Sequence, residues 1–293
     1  MKYVLLDDDA IEIGGTNLTI LSMFEDRINE TVRLSTRDLS KLDLIKHADK
    51  IWIIGNIMNL FQRQDDIRDV LFDTITRFVK IEFDYNFCPY RGEIPHEKLG
   101  NNRCSCPYGT TGINQIASTY NKIIEKASHI FFMSERQRSI YANHIPLLDF
   151  SKTTILSSCF SKQSLALFES LKATPKNNRY AILQGFGGWH SEAKGADIAK
   201  NFCITNNLEY DILPIQKYEN HIKLLSQYKG LVFLPIIDDT CPRAIIEARL
   251  LGLHVITNIN CQHVTEWWWK EESKTLDYIS SRPQTFWSII DKI

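Results

Sequence analysis

The chain has 293 residues, with 34 Lys and Arg against 35 Asp and Glu, for a formal net charge of −1. At roughly 150 residues per domain this length suggests two domains, and the weak overall field argues against a histone-like or generally polybasic nucleic-acid binder. A hydrophobic share of 44% with 24% charged residues is ordinary for a globular protein and too apolar for disorder.

No apolar run approaches the roughly 18 residues that a membrane-spanning helix needs. After Met1-Lys2-Tyr3-Val4-Leu5-Leu6 the chain meets Asp7, Asp8 and Asp9, which interrupt any signal-peptide core. Seven cysteines, an odd number spread along the chain, do not resemble a secreted disulfide scaffold. A reducing, cytoplasmic setting is expected.

In chain order, the predicted strands are Tyr3–Leu6, Val32–Leu34, Ile51–Ile54, Phe78–Phe83, Ile130–Met133, Thr153–Leu156, Tyr180–Leu183, Tyr210–Leu213, Leu231–Leu234 and His254–Ile256. Several are continuous apolar stretches, as strands buried on both faces of a parallel sheet should be. Helix-like segments such as Asn59–Arg77, Ile113–Ala127 and Ala244–Leu251 alternate with them, which reads as α/β. The polar stretch from Lys172 to Asn178, which contains Pro175, marks a break with six strands before it and four after. Two Rossmann-like domains facing each other across a cleft fit this count. The expected boundaries are 1–172, with a Cys-rich insertion at 86–112, then 173–282. A short C-terminal helix is expected over 283–293, with Phe286, Trp287, Ile289 and Ile290.

Asp7-Asp8-Asp9 after the first strand has the look of a phosphoacceptor metal pocket. That arrangement needs another Asp after the third strand, where this chain has Gly55-Asn56. Gly14-Gly15 follows instead, and glycines before a helix N-terminus let backbone N–H groups approach an anion. In the second half, Tyr180–Leu183 leads into Gln184-Gly185-Phe186-Gly187-Gly188 and then Lys194-Gly195, a pattern suited to a diphosphate. Pro242 suits the first turn of a helix that carries Glu247 among Ile245, Ile246, Ala248 and Leu250. A carboxylate in so apolar a helix wants a partner, and it can accept two hydrogen bonds from a ribose diol.

These residues resemble the donor domain of family-4 retaining glycosyltransferases, which have the GT-B fold. The family's Glu-x7-Glu motif is met here by Asp239-x7-Glu247-Ala248, followed by Gly252 and Val255-Ile256-Thr257. Lys194-Gly195 is similar to its phosphate-binding pair, Gly14-Gly15 to its N-terminal glycines, and Phe132-Met133-Ser134-Glu135 to the strand end closing its first domain. The likeness runs in order along most of the chain, although only the Asp239–Gly252 block is specific by itself. There are departures. Asp239 replaces the first Glu, Gly188 stands where an Arg is usual, and Cys241-Pro242-Arg243 replaces a small residue.

The resemblance implies transfer of a hexosyl or pentosyl group from a UDP- or GDP-sugar to an acceptor hydroxyl, with retention. Asp239, Glu247 and Lys194 would be catalytic, Glu247 on the donor ribose and Asp239 facing the transferred sugar. Donor contacts would come from Gly14, Gly15, Gly187, Gly188, Lys194, Cys241, Arg243 and Glu247, with Arg243 a candidate for the missing cation. Leaving-group stabilisation then outweighs any protein base, and no catalytic metal is expected. Asp84, Tyr85, Arg91 and Arg103 are the acceptor-side candidates. The default acceptor is a glycan or a small molecule.

The specific alternative is a phage-type enzyme that glycosylates hydroxymethylated cytosine in DNA, working in the host cytoplasm. The Asn-, Lys- and Ile-rich composition motivates it, as does the window Asn86–Arg138, with seven Lys or Arg against four Asp or Glu. A third reading, from another class, is a non-catalytic protein that binds sugar nucleotides or nucleic acid. Within the Cys-rich insertion, Cys88, His96, Cys104 and Cys106 make a full tetrahedral set for structural zinc. The other reading is three incidental thiols and an exposed His. Trp267-Trp268-Trp269 cannot all face one side of a core; stacking on a donor and covering the hinge between domains are the two readings.

Overall fold

The computed structural model describes residues 1–8, 14–63, 65–88, 90, 92–100, 104, 106, 114–184 and 192–293. All ten predicted strands form, and they assemble into two fully parallel sheets. Together with the flanking helices they make an α/β fold. Its residues group into two units. The first is Met1–Glu12, Phe24–Ser157 and Gln284–Ile293; the second is Ile13–Met23 and Ser158–Pro283.

The first unit contains strands β1 (Tyr3–Asp7), β2 (Thr31–Ser35), β3 (Ile51–Ile54), β4 (Phe78–Glu82), β5 (His129–Phe132) and β6 (Thr153–Ile155), in the order β2-β1-β3-β4-β5-β6. β1 and β4 are buried at every position, β1 apolar up to Asp7 and β4 with Lys80 and Glu82 set among its apolar residues. Val4, Leu6, Trp52, Ile54, Phe78 and Phe132 lie in one core cluster with Leu71 and Phe72 of the helix Ile67–Thr74. The C-terminal helix Arg282–Ile290 supplies Phe286, Trp287 and Ile290, all buried. The Trp287 ring lies 4.9 Å from that of Tyr3 and 5.3 Å from that of Phe24, while Phe286 meets Phe131 at 4.9 Å. Asp291 accepts from the Tyr3 hydroxyl at 3.0 Å and pairs with Arg27 at 3.0 Å.

The acidic end of β1 ties down the loop after β3. Asp7 Oδ1 accepts the Asn56 N–H at 2.5 Å, and Asp8 accepts those of Met58 and Asn59 at 2.8 and 3.1 Å. A Cβ on Gly55 would stand 2.3 Å from Asp7 Oδ1, so only glycine admits this approach. Two of the three acidic residues are thus loop anchors. Asp9 lies outside the described residues.

The second unit holds β7 (Tyr180–Leu183), β8 (Tyr210–Leu213), β9 (Gly230–Phe233) and β10 (His254–Thr257), in the order β10-β9-β7-β8. Helix Arg243–Leu250 ends in a Schellman cap: Gly252, at φ +73°, donates to Arg249 O at 2.9 Å and Leu253 donates to Ala248 O at 2.9 Å. Gly252 therefore stops the helix and turns the chain into β10. The tryptophan triplet splits three ways. Trp268 is buried and stacked on Tyr278 at 5.0 Å, Trp269 lies under the Arg249 guanidinium at 4.5 Å, and Trp267 is exposed.

Two outcomes follow from these contacts. Trp287→Ala should destabilise the first unit by about 3–5 kcal/mol, the usual cost of deleting a buried Trp, read as a fall in its urea midpoint. The second concerns Asp7, whose carboxyl is raised to about 7 by burial, with the Asn56 N–H opposing and Asp8 adding to the rise. Lys80 and Arg33 also face it and oppose the rise. The native state keeps a proton that the unfolded chain loses near pH 4. This stability is therefore complete below about pH 4 and declines as pH rises to about 7, by up to about 4 kcal/mol. Asp7→Asn should abolish that decline, so the difference between variant and wild type in urea midpoint should grow between pH 4 and 7. A constant difference would deny the shift.

Candidate functional site

In the second unit, Lys194 comes after β7, and Asp239, Cys241 and Arg243 come after β9, on loops and at a helix start. Parallel sheets bind ligands beyond the carboxyl ends of their strands, and these loops lie there. Lys194-Gly195 comes between β7 and the helix Ala196–Thr205. Gly195 adopts φ +71°, and a Cβ there would stand 1.7 Å from Leu234 O, which explains the glycine after the lysine. The Lys194 ammonium donates to Asp239 Oδ2 at 2.5 Å. The Asp239 backbone is held from both directions, its N–H donating to Asn260 O at 2.8 Å and its carbonyl accepting from Gln262 at 3.1 Å.

Glu247 lies on the helix Arg243–Leu250 and is 4% exposed. Its Oε1 accepts from the Tyr218 hydroxyl at 2.9 Å and from Arg243 Nε at 3.3 Å. Oε2 takes no hydrogen bond among the described residues. Arg243, also buried, lies 3.9 Å over the Phe160 ring. Its Nη1 donates to Thr19 at 3.2 Å and to the Cys159 carbonyl, and its Nη2 to the Tyr218 hydroxyl at 3.4 Å. All three guanidinium nitrogens therefore bond inside the unit, and Nε holds the Glu247 carboxylate. Gly15, at the start of the helix Gly15–Phe24, lies against the same side chain: a Cβ there would be 3.5 Å from Arg243 Cδ.

Gly14, Gly15, Arg243 and Glu247 are thus gathered in one unit, together with Lys194, Asp239 and Cys241. The Cys241 thiol meets Ser158 Oγ at 3.0 Å and is pushed up to about 11 by burial. Pro242 stands at the N-cap of the helix rather than within its first turn. Gly187 and Gly188 lie outside the described residues. Sequence reasoning missed Tyr218, Thr19 and Phe160. Each is remote from the motif in sequence, and none stands in a local pattern that marks it.

In the first unit, the carboxyl end of β4 carries a buried ion pair, Lys80 Nζ to Glu82 Oε1 at 3.0 Å, both side chains being fully buried. Glu82 Oε2 accepts from Tyr141 at 2.6 Å and from Asn86 Nδ2 at 2.9 Å. The Lys80 ammonium also donates to Gly55 O and Ile81 O, at 2.8 and 2.6 Å. The two charges are plain in the predicted strand Phe78–Phe83, but their pairing and its partners show only in the fold. Of the acceptor-side candidates, Tyr85 is a core residue, its ring 5.8 Å from Phe87 and 6.1 Å from Tyr141. The Asp84 carbonyl accepts from Gln137 and lies 3.0 Å from the Tyr141 hydroxyl, whose single proton goes to Glu82 at 2.6 Å. Arg91 and Arg103 lie outside the described residues. Several cations of the basic window have carboxylate partners. Lys122 and Lys126 share Asp73, and Arg138 pairs with Glu135.

Cys88, His96, Cys104 and Cys106 do come together, their ligand atoms all within 4.8 Å of one another. Cys88, His96 and Cys106 are buried and Cys104 is partly so. His96 is therefore not the exposed side chain of the alternative reading. Hydrogen bonds among the three sulfurs pull the Cys104 thiol down and push those of Cys88 and Cys106 up.

No protein-family profile matches the chain, and no curated protein matches it by sequence. Solved structures match its fold over the whole length. Anabaena Alr3699/HepE, solved with UDP-glucose, has a TM-score of 0.57 at 11% identity, covering 100% of this chain and 98% of that one. Sucrose-phosphate synthase from Thermosynechococcus elongatus has a TM-score of 0.53 at 10% identity, covering 100% and 94%. An alpha-glucosyltransferase solved with UDP-glucose and DNA containing an abasic site has a TM-score of 0.50 at 11% identity, covering 100% and 92%. At such identities the likeness is one of fold, and the fold is GT-B.

Proposed function

We propose that this protein is a retaining glycosyltransferase that moves a sugar from a nucleoside diphosphate donor to an acceptor hydroxyl. The observation that carries the reading is the Glu247 carboxylate. It is buried and oriented by Tyr218 and Arg243, yet Oε2 has no hydrogen bond among the described residues. A ribose diol is the ligand such an oxygen suits. UDP is the favoured nucleotide, because HepE and the alpha-glucosyltransferase were both solved with UDP-glucose.

Lys194, anchored by Asp239 and half-exposed, would meet the diphosphate, as would the N–H groups at Gly14-Gly15. In the reaction, the bond between the anomeric carbon and the diphosphate oxygen breaks. The acceptor oxygen bonds to that carbon on the same face, and its proton passes to the departing diphosphate. Charge on the leaving group is what the protein must stabilise, and Lys194 is the cation at hand. Asp239 holds that cation and faces the transferred sugar. Arg243, whose nitrogens are all engaged within the unit, acts through Glu247.

Glu247→Gln keeps the packing and one acceptor while removing the charge that ribose would use. It should weaken UDP by roughly 1.5–3 kcal/mol in calorimetry, the range for one charge-assisted hydrogen bond. Unchanged affinity in a folded variant removes Glu247 from the site. Lys194→Ala should weaken UDP far more than uridine, and equal weakening of both would place the lysine elsewhere.

For the acceptor, a glycan or small molecule remains the first reading. The DNA-modifying reading keeps one supporting observation, the fold neighbour solved with DNA. Against it stand the ion pairs that occupy Lys122, Lys126 and Arg138. If about three cations of this window met phosphates, the logarithm of affinity should fall with the logarithm of salt at a slope of about −3. Replacing Arg91 and Arg103 together should then flatten the slope by about two. The first reading expects no salt-dependent binding, and no stimulation of UDP-sugar turnover by modified duplex DNA at low salt.

A further inference from the structure

We infer that Cys88, His96, Cys104 and Cys106 form a closed, four-ligand structural zinc site that braces the carboxyl end of β4. The reading is independent of the glycosyltransferase proposal. Its first support is geometric. Cys88 Sγ lies 3.6 Å from Cys106 Sγ and 3.8 Å from Cys104 Sγ. His96 Nδ1 lies 3.3 Å from Cys88 Sγ and 3.2 Å from Cys106 Sγ. A tetrahedron with Zn–S of about 2.3 Å and Zn–N of about 2.0 Å has edges near 3.8 Å and 3.5 Å. Four of the six edges already stand close to that figure, and the other two, both at Cys104, are no longer than 4.8 Å.

The second support is chemical. Three thiols with one imidazole, and no carboxylate, are a soft donor set that selects zinc over magnesium or calcium. Four protein ligands leave no open position, so the metal is structural rather than catalytic. A disulfide is the competing use of these sulfurs. Cys88 and Cys106 would have to close from 3.6 Å to about 2.05 Å, stranding Cys104 and His96 beside the bond.

The third support is placement. Cys88 follows β4 by six residues, with Tyr85 and Phe87 between them buried against Tyr141, the residue that bonds Glu82. His96 comes from the helix Glu93–Gly100, and Cys104 and Cys106 follow that helix. Tyr90 closes edge-on over His96 at 4.8 Å. One ion would tie together Cys88, the helix Glu93–Gly100 and the cysteines that follow it. It would thereby fix the loop that leaves the end of β4.

The test uses the whole chain, expressed in zinc-supplemented medium and purified under reductant without chelator. Elemental analysis should find about one zinc per chain. Exchange with Co(II) should give the intense visible bands and thiolate charge-transfer absorption of a tetrahedral thiolate site. Chelation should speed proteolytic cleavage between residues 88 and 106, and zinc should reverse this. Cys104→Ser should lose most of the bound metal. Should that variant fail to fold, the Co(II) spectrum of the wild-type chain decides by itself. Protein without zinc and without Co(II) thiolate bands overturns the inference, as does a Cys88–Cys106 disulfide that persists through the same preparation.

Discussion

A buried guanidinium must find a partner for each of its donors, and the second unit is organised around that demand at Arg243. The partners come from scattered points of the chain: Thr19 in the first helix, the Cys159 carbonyl, Tyr218 before β9, and Glu247 one turn further along. Phe160 lies against the cation's face. Removing one member of such a pair leaves a buried charge uncompensated, typically at 3–5 kcal/mol. The arrangement fixes where the helix bearing Glu247 sits and which of its carboxylate oxygens is taken.

The first unit applies the same rule at Lys80. Its ammonium reaches Glu82 and two backbone carbonyls, and Glu82 is in turn held by Tyr141 and Asn86. Buried polar networks are stabilising only when their members are satisfied. Each link therefore constrains the next. Tyr141 positions the chain just after β4 by accepting from Asn86 N, and that chain runs directly into Cys88. The Cys/His cluster thus grows out of a rigid end of the sheet.

Much of this was legible in the sequence, for physical reasons. Several of the ten strands were visible because strands buried on both faces are continuous apolar runs, as in Ile51–Ile54 and Gly230–Phe233. The pairing of Lys80 with Glu82 was hidden because two opposite charges that neutralise each other can occupy positions apolar residues normally fill. Tyr85 stood among the acceptor-side candidates through its position after β4, yet its ring is buried on Tyr141 and Phe87. Arg243 was considered as a diphosphate cation because charge is visible in a sequence and engagement is not. Residues as distant as Thr19 and Tyr218 share no local pattern, so only the folded chain shows that they meet at one side chain. The four zinc-type ligands were readable as a set, but their mutual distances were not.

The two ion pairs of the second unit differ in a way that bears on function. Arg243 and Glu247 have side chains only 4% and 6% exposed, so neither can leave its partner without a large desolvation cost. Lys194 is 46% exposed while Asp239 is 8% exposed. An ammonium so open to water gains about 1 kcal/mol or less from its partner. In the proposed reaction a diphosphate would share Lys194 with Asp239, whose buried carboxylate keeps the cation in place. The ammonium that Asp239 holds lies 5.9 Å from the ring of Phe233, the last residue of β9. The buried pair holds the carboxylate suited to ribose, and the more exposed pair holds the cation suited to the leaving group. Both groups would serve the proposed reaction best when fixed beforehand, since preorganised groups stabilise developing charge without having to reorganise.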